Sequence, residues 1–85
     1  MHEMGIASSI IEAVEKEQLR YPGYRAMKVG VRIGEFAGVD GESLRFCFGA
    51  IVMGTPLASL ELGIEPRGGD ELDLAWIELD DEVNA

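Results

Sequence analysis

The chain is poor in the residues from which small proteins build catalytic and metal-binding clusters. It has one cysteine, Cys47, and one histidine, His2, in 85 residues. A single cysteine closes no internal disulfide, and a histidine at the second position is hard to hold rigidly beside a nucleophile, so nucleophilic catalysis lacks a base. Basic residues are scarce as well. Seven Lys and Arg against 16 Asp and Glu leave a formal charge of -9, which repels phosphate backbones and sets nucleic acid aside as a partner. No apolar run reaches the roughly 18 to 20 residues that span a bilayer, and Met1-His2-Glu3 lacks the basic and then apolar stretches of a secretory signal. The expectation is a cytoplasmic protein with no membrane partner. No glycine-rich phosphate loop is present either: Gly30, Gly34 and Gly38 recur every four residues, the first two within a strand pattern. The carboxylates read as solvated faces, and the chain is expected not to be an enzyme.

What is present is a globular composition, 47% hydrophobic and 27% charged, in a length that allows one small domain over residues 1–85. A core of this size is thin, so oligomerisation, including a homodimer through an exposed strand edge, is open. The clearest signal is Met27 to Gly34. Met27, Val29, Val31 and Ile33 alternate with Lys28, Gly30, Arg32 and Gly34, which predicts a strand with all four apolar side chains on one face. That face needs a cover. Ile6 to Leu19 and Leu44 to Val52 carry apolar residues at helical spacing, so a two-layer α+β fold with helices on one side of a sheet follows.

Local signals refine the elements. Met1 to Glu3 with Met4 could add a small edge strand. Pro22-Gly23 stops the first helix. Asp40 is a good N-cap for the second, with Glu42 placed where the helix dipole favours negative charge, and Gly54 with Pro56 ends it. Leu60, Leu62 and Ile64 alternate as a second strand. Pro66-Arg67-Gly68-Gly69-Asp70 reads as a turn, and the strands on either side of it are expected to pair as an antiparallel hairpin. Leu72 and Leu74 fall out of phase with Ile77 and Leu79, so either Trp76 packs on the other face or a bulge sits near Ala75. Trp76 fits the core and fits an exposed partner surface equally. Cys47, on the apolar stripe of the second helix, reads as core packing.

One arrangement has specific chemical potential. Histidine beside the initiator is too large for ordinary methionine removal, so Met1 is expected to keep a free amine. That amine, the His2 backbone nitrogen and the His2 imidazole could close adjoining chelate rings, with Glu3 adding a carboxylate or amide nitrogen. Such a square-planar nitrogen set suits nickel(II) or copper(II). The imidazole binds only when neutral, so affinity should fall with pH. From spacing alone, a histidine that merely follows methionine explains the same residues.

Together these segments resemble the HypA/HybF family of hydrogenase-maturation nickel metallochaperones. The resemblance rests on Met1 to Met4 with Ile6-Ala7 and Ile10-Ile11-Glu12, and on Val31 to Glu35 running into Gly38-Val39-Asp40. It continues through Leu44 to Phe48, then Gly54 to Leu57 with Leu60-Glu61-Leu62, and extends in order to about Glu65. It implies two helices on a small mixed sheet, His2 as the principal nickel ligand, and help from the Met1 amine, nearby amides and Glu3. It also implies as partners a nickel-handling GTPase and the hydrogenase large subunit, or the urease pathway. Family members carry a zinc ribbon with paired CxxC motifs between the last two strands, where this chain has only the turn near residues 66–70. One cysteine and one histidine cannot supply the four ligands of a structural zinc site, so no zinc is expected. A protein-interaction module that has lost metal delivery is the alternative function.

Overall fold

The computed structural model describes residues 2–81. Helix α1 (Glu3–Arg20) buries Ala7, Ile10, Ile11 and Val14, the stripe that 3.6-residue periodicity places on one side. Glu3 and Met4 lie within this helix rather than in an edge strand. The reason is that the apolar stripe begins at Ile6 and Ala7, and the turn preceding it is already needed to accept the first helical bonds. Strand β1 (Tyr24–Gly34) follows the turn at Gly23, whose φ is +87°. Helix α2 (Gly41–Val52) is capped as expected: Asp40 Oδ1 accepts from the Glu42 and Ser43 amides at 3.0 and 3.5 Å. Strands β2 (Glu61–Arg67) and β3 (Leu72–Asp81) follow, the last elements among the described residues. No helix among the described residues is long and apolar enough to cross a membrane.

The sheet order is β2-β1-β3, with β2 parallel and β3 antiparallel to β1. A parallel pair needs a crossover, which α2 provides. Here the expected hairpin is corrected: β2 and β3 do not pair but flank β1 on opposite sides, and Pro66 and Arg67, expected in the turn, end β2 instead, because the edge of β1 at Ile33 and Gly34 is there to pair with them. β1 is the most buried strand, and its central position lets both of its edges pair while Ala26, Val29, Val31 and Ile33 stay covered. The link from β2 to β3 passes over the end of β1, where the Gly34, Glu35 and Phe36 amides donate to Glu71, Arg67 and Gly69 carbonyls, each at 2.8 Å. Gly34 allows this passage because the Gly69 backbone occupies the space a β-carbon would take.

Both helices lie on one face of the sheet, and Leu44, Val14, Val29 and Val31 form the centre of the core. Two irregularities set the register. A bulge at Met27 shifts the inward position to Ala26, 3% exposed, so Met27 does not share the face of Val29, Val31 and Ile33. The second skips Ala75, as the phase break in the sequence suggested: Gly30 pairs with Trp76 and Val31 with Leu74. It lets Leu72 as well as Ile77 and Leu79 pack against the core.

Candidate metal-binding N-terminus

The first helix begins at the residues singled out in the sequence. His2 is the N-cap of α1, in extended conformation (φ -92°, ψ 105°), and is exposed. Its carbonyl accepts the first helical bond, from the Ile6 amide at 3.2 Å, while its side chain caps nothing. The amides ahead of Ile6 have no intrahelical acceptor, as in any α-helix. His2 and Glu3 therefore offer backbone nitrogens whose capture by a metal would break no bond of the helix.

Glu3 is turned toward the other helix. Its Oε2 accepts from the Asp40 amide at 3.0 Å, which brings the starts of α1 and α2 together at one end of the molecule. That hydrogen bond, followed by one from its own backbone amide, holds the Glu3 carboxyl below the usual value; burial and the charge of Asp40 oppose the shift. A carboxylate accepts at two oxygens, so the bond at Oε2 leaves Oε1 with capacity for a cation. The link between Glu3 and Asp40 was not visible in the sequence. The two positions are separated by 37 residues, and nothing local marks an exposed backbone amide as a partner.

Met1, whose terminal amine completes the expected chelate, lies outside the described residues. Among the described residues no three His, Cys, Asp or Glu side chains gather as a metal cluster. A site at His2 and Glu3 has to be completed by main-chain nitrogens. Cys47 is a free thiol on α2, half-buried against the core and far in sequence from this end. Trp76 lies on the sheet face opposite the helices, where its ring covers Gly30 and Gly63 and its Nε1–H donates to Glu65 Oε2 at 2.6 Å. It therefore belongs neither to the main core nor to this end of the molecule.

A family model described as hydrogenase/urease nickel incorporation, metallochaperone, HypA matches residues 1–78. The chain belongs to the HypA family. The hydrogenase maturation factor HypA of Chlorobaculum tepidum is 44% identical over 69 residues, covering 81% of this chain and 61% of that protein. The HypA of Chlorobium limicola is 46% identical over 65 residues, 76% of this chain and 56% of its own length. This HypA-family chain thus matches less than two thirds of either relative. The solution structure of the Ni metallochaperone HypA from Helicobacter pylori superposes with a TM-score of 0.71 at 24% identity, over 79% of this chain and 58% of the other. That likeness supports the two-helix, mixed-sheet fold.

Proposed function

We propose that this chain is a non-enzymatic nickel-binding accessory protein for maturation of nickel–iron hydrogenase. Membership of the HypA family over residues 1–78, in a chain whose His2 stands exposed at the start of α1, carries the reading. Nickel is cargo: the Met1 amine, the His2 amide and imidazole, and Glu3 hold it through exchangeable donors, and a partner competes for it. Nitrogen donors in a planar set suit nickel(II). The amides at the front of a helix have no intrahelical acceptor to give up when they contribute them. The partners in this reading are a nickel-handling GTPase and the hydrogenase large subunit, or their urease-pathway counterparts, in the cytoplasm. Residues 1–85 form one nickel-binding domain in which the short link at residues 68–71 between β2 and β3 stands where the family's zinc ribbon would be, with no structural zinc.

The test is a calorimetric nickel titration near neutral pH on untagged protein with a native N-terminus, since a tag would remove the amine. Wild type is expected to bind in the micromolar range or tighter, with affinity falling as the imidazole is protonated. His2→Ala is expected to lose tight binding while its circular dichroism stays unchanged; an unaltered affinity would reject the site. A second reading follows from the short turn without paired cysteines: an interaction module that keeps the fold without metal delivery. It would show weak nickel binding beside a retained complex with the GTPase or hydrogenase subunit.

A further inference from the structure

The sheet has two edges, and they are finished differently. An edge strand carries a row of backbone donors and acceptors that its own sheet does not use. On β2 this row is closed. The Arg67 carbonyl points to β1, where it accepts from the Glu35 amide at 2.8 Å, so by alternation Leu62, Ile64 and Pro66 turn their backbone groups outward. Of these, the Leu62 carbonyl accepts from Arg45 Nη1 at 2.6 Å and the Pro66 carbonyl from Arg67 Nη1 at 3.0 Å, and Pro66 has no amide hydrogen to give. On β3 the row is open. That strand pairs with β1 along one side only, and among the described residues no side chain reaches the backbone of Leu72 to Asp80.

The open edge has two chemically different faces. On the helix side Leu72, Ile77 and Leu79 pack against the core, while Leu74 is 39% exposed. Asp73, Glu78 and Asp80 are exposed on the other side, which they share with Trp76, across from Arg32, Lys28 and Arg25 of β1. Two of those cations are turned elsewhere: Arg32 pairs with Glu65 of β2 at 3.6 Å, and Lys28 Nζ stands 5.9 Å from the Trp76 ring centroid. Among the described residues none of the three carboxylates forms an ion pair. The position beside them on the far side of β3 is where a further strand would set its side chains.

We propose that β3 accepts an extended segment of a partner protein as a fourth strand. Backbone hydrogen bonds hold such a segment, and the side chains beside it select its sequence. Apolar residues belong on the helix side, next to Leu74, Ile77 and Leu79; lysine or arginine belongs on the other, next to Glu78 and Asp80. Successive side chains of a strand alternate between faces, so the segment alternates apolar and basic residues. The bulge at Ala75 interrupts the ladder and places the continuous register from Trp76 onward. The same acids guard the edge against a second copy, because antiparallel registers centred on Glu78 or Leu79 set Glu78 against Glu78 or against Asp80. Strand addition requires no metal, so its failure leaves the nickel reading standing.

The experiment uses the metal-free protein and fluorescently labelled peptides of about eight residues, with binding read by anisotropy. One peptide alternates lysine with valine, a second alternates glutamate with valine, and a third has the composition of the first with its lysines and valines in separate blocks. The alternating lysine peptide is expected to bind roughly tenfold or more tightly than either of the others. Methylating alternate amide nitrogens of that peptide should abolish binding in one phase and spare it in the other, since only alternate residues of an added strand bond to β3. The double variant Glu78→Lys, Asp80→Lys changes two exposed side chains and should move the preference to the glutamate peptide, with circular dichroism checking its fold. No binding of the alternating lysine peptide, equal binding of the blocked or the glutamate peptide, or an equal effect of the two methylation patterns would overturn the proposal. So would a wild-type dimer in which amide exchange slows at Trp76 to Asp80, since a second copy would then hold the edge.

Discussion

Trp76 shows how one side chain depends on the absence of others. Its ring crosses the outer face of the sheet, over Gly30 of β1 and Gly63 of β2, and a β-carbon at Gly30 would overlap it. Lys28 Nζ stands 5.9 Å from the ring centroid, and Glu65 receives the indole N–H together with Arg67 at 3.0 Å and Arg32 at 3.6 Å. Gly30→Ala is expected to expel the ring, at a cost of about 1–3 kcal/mol typical of overpacking, with a red shift of tryptophan emission as the readout. The indole hydrogen bond, then the Arg32 and Arg67 charges, hold the Glu65 carboxyl below its ordinary value of 4.5 against the opposing effect of burial. A carboxyl depressed in the folded state stabilises it above the unfolded value and loses that contribution as pH falls through the folded one. Melting temperature should therefore drop more steeply below about pH 4.5 in wild type than in Glu65→Gln; parallel profiles would show that the network contributes nothing to stability.

Between elements, the decisive feature is the crossing at the end of β1. The β2–β3 link rests on Gly34 through backbone, and backbone cannot rotate aside as a long side chain can. Gly34→Ala should cost about 1–3 kcal/mol or more. Amide exchange would be expected to quicken first at Glu35 and Phe36, whose bonds to the link would open. Faster exchange confined to the helices would contradict this account. At the same end of the molecule α2 is held by the Asp40 cap, worth about 1 kcal/mol in comparable helices. The Asp40 amide fixes Glu3 in turn, so the start of α1 is tied to the start of α2. That tie places the nickel-binding residues proposed here on a supported helix end.

For the whole molecule the core is small enough that one residue matters greatly. A domain of 85 residues has a stability of roughly 4–13 kcal/mol. Leu44 is fully buried in the core where both helices meet the sheet, and Leu44→Ala should remove about 2–5 kcal/mol of it. Urea unfolding would show a lower midpoint at a similar slope. A shift smaller than that of a surface variant would mean that the core lies elsewhere. The same shortage of core goes with Leu74 of β3 staying 39% exposed while Leu72, Ile77 and Leu79 are only partly buried against the core.

Periodicity determined most of the fold, because burial of one face is a local property that a sequence must repeat at 2 or 3.6 residues. Both helices, the strand from Met27, the Asp40 cap and the phase break at Ala75 were legible on that ground, and so was the family, through blocks of residues in register. Pairing was not. Gly68 and Gly69 between two strand patterns favour a hairpin locally, yet the strands part around β1 because a central apolar strand pairs on both edges only if its neighbours lie on either side. Trp76 was undecided in the sequence for a related reason: its place depends on Gly30 and Gly63, which lie on two other strands. The candidate site divides in the same way. His2 and Glu3 were readable as adjacent donors, whereas the bond from the Asp40 amide to Glu3 exists only because two helix starts, far apart in the chain, converge in the folded molecule.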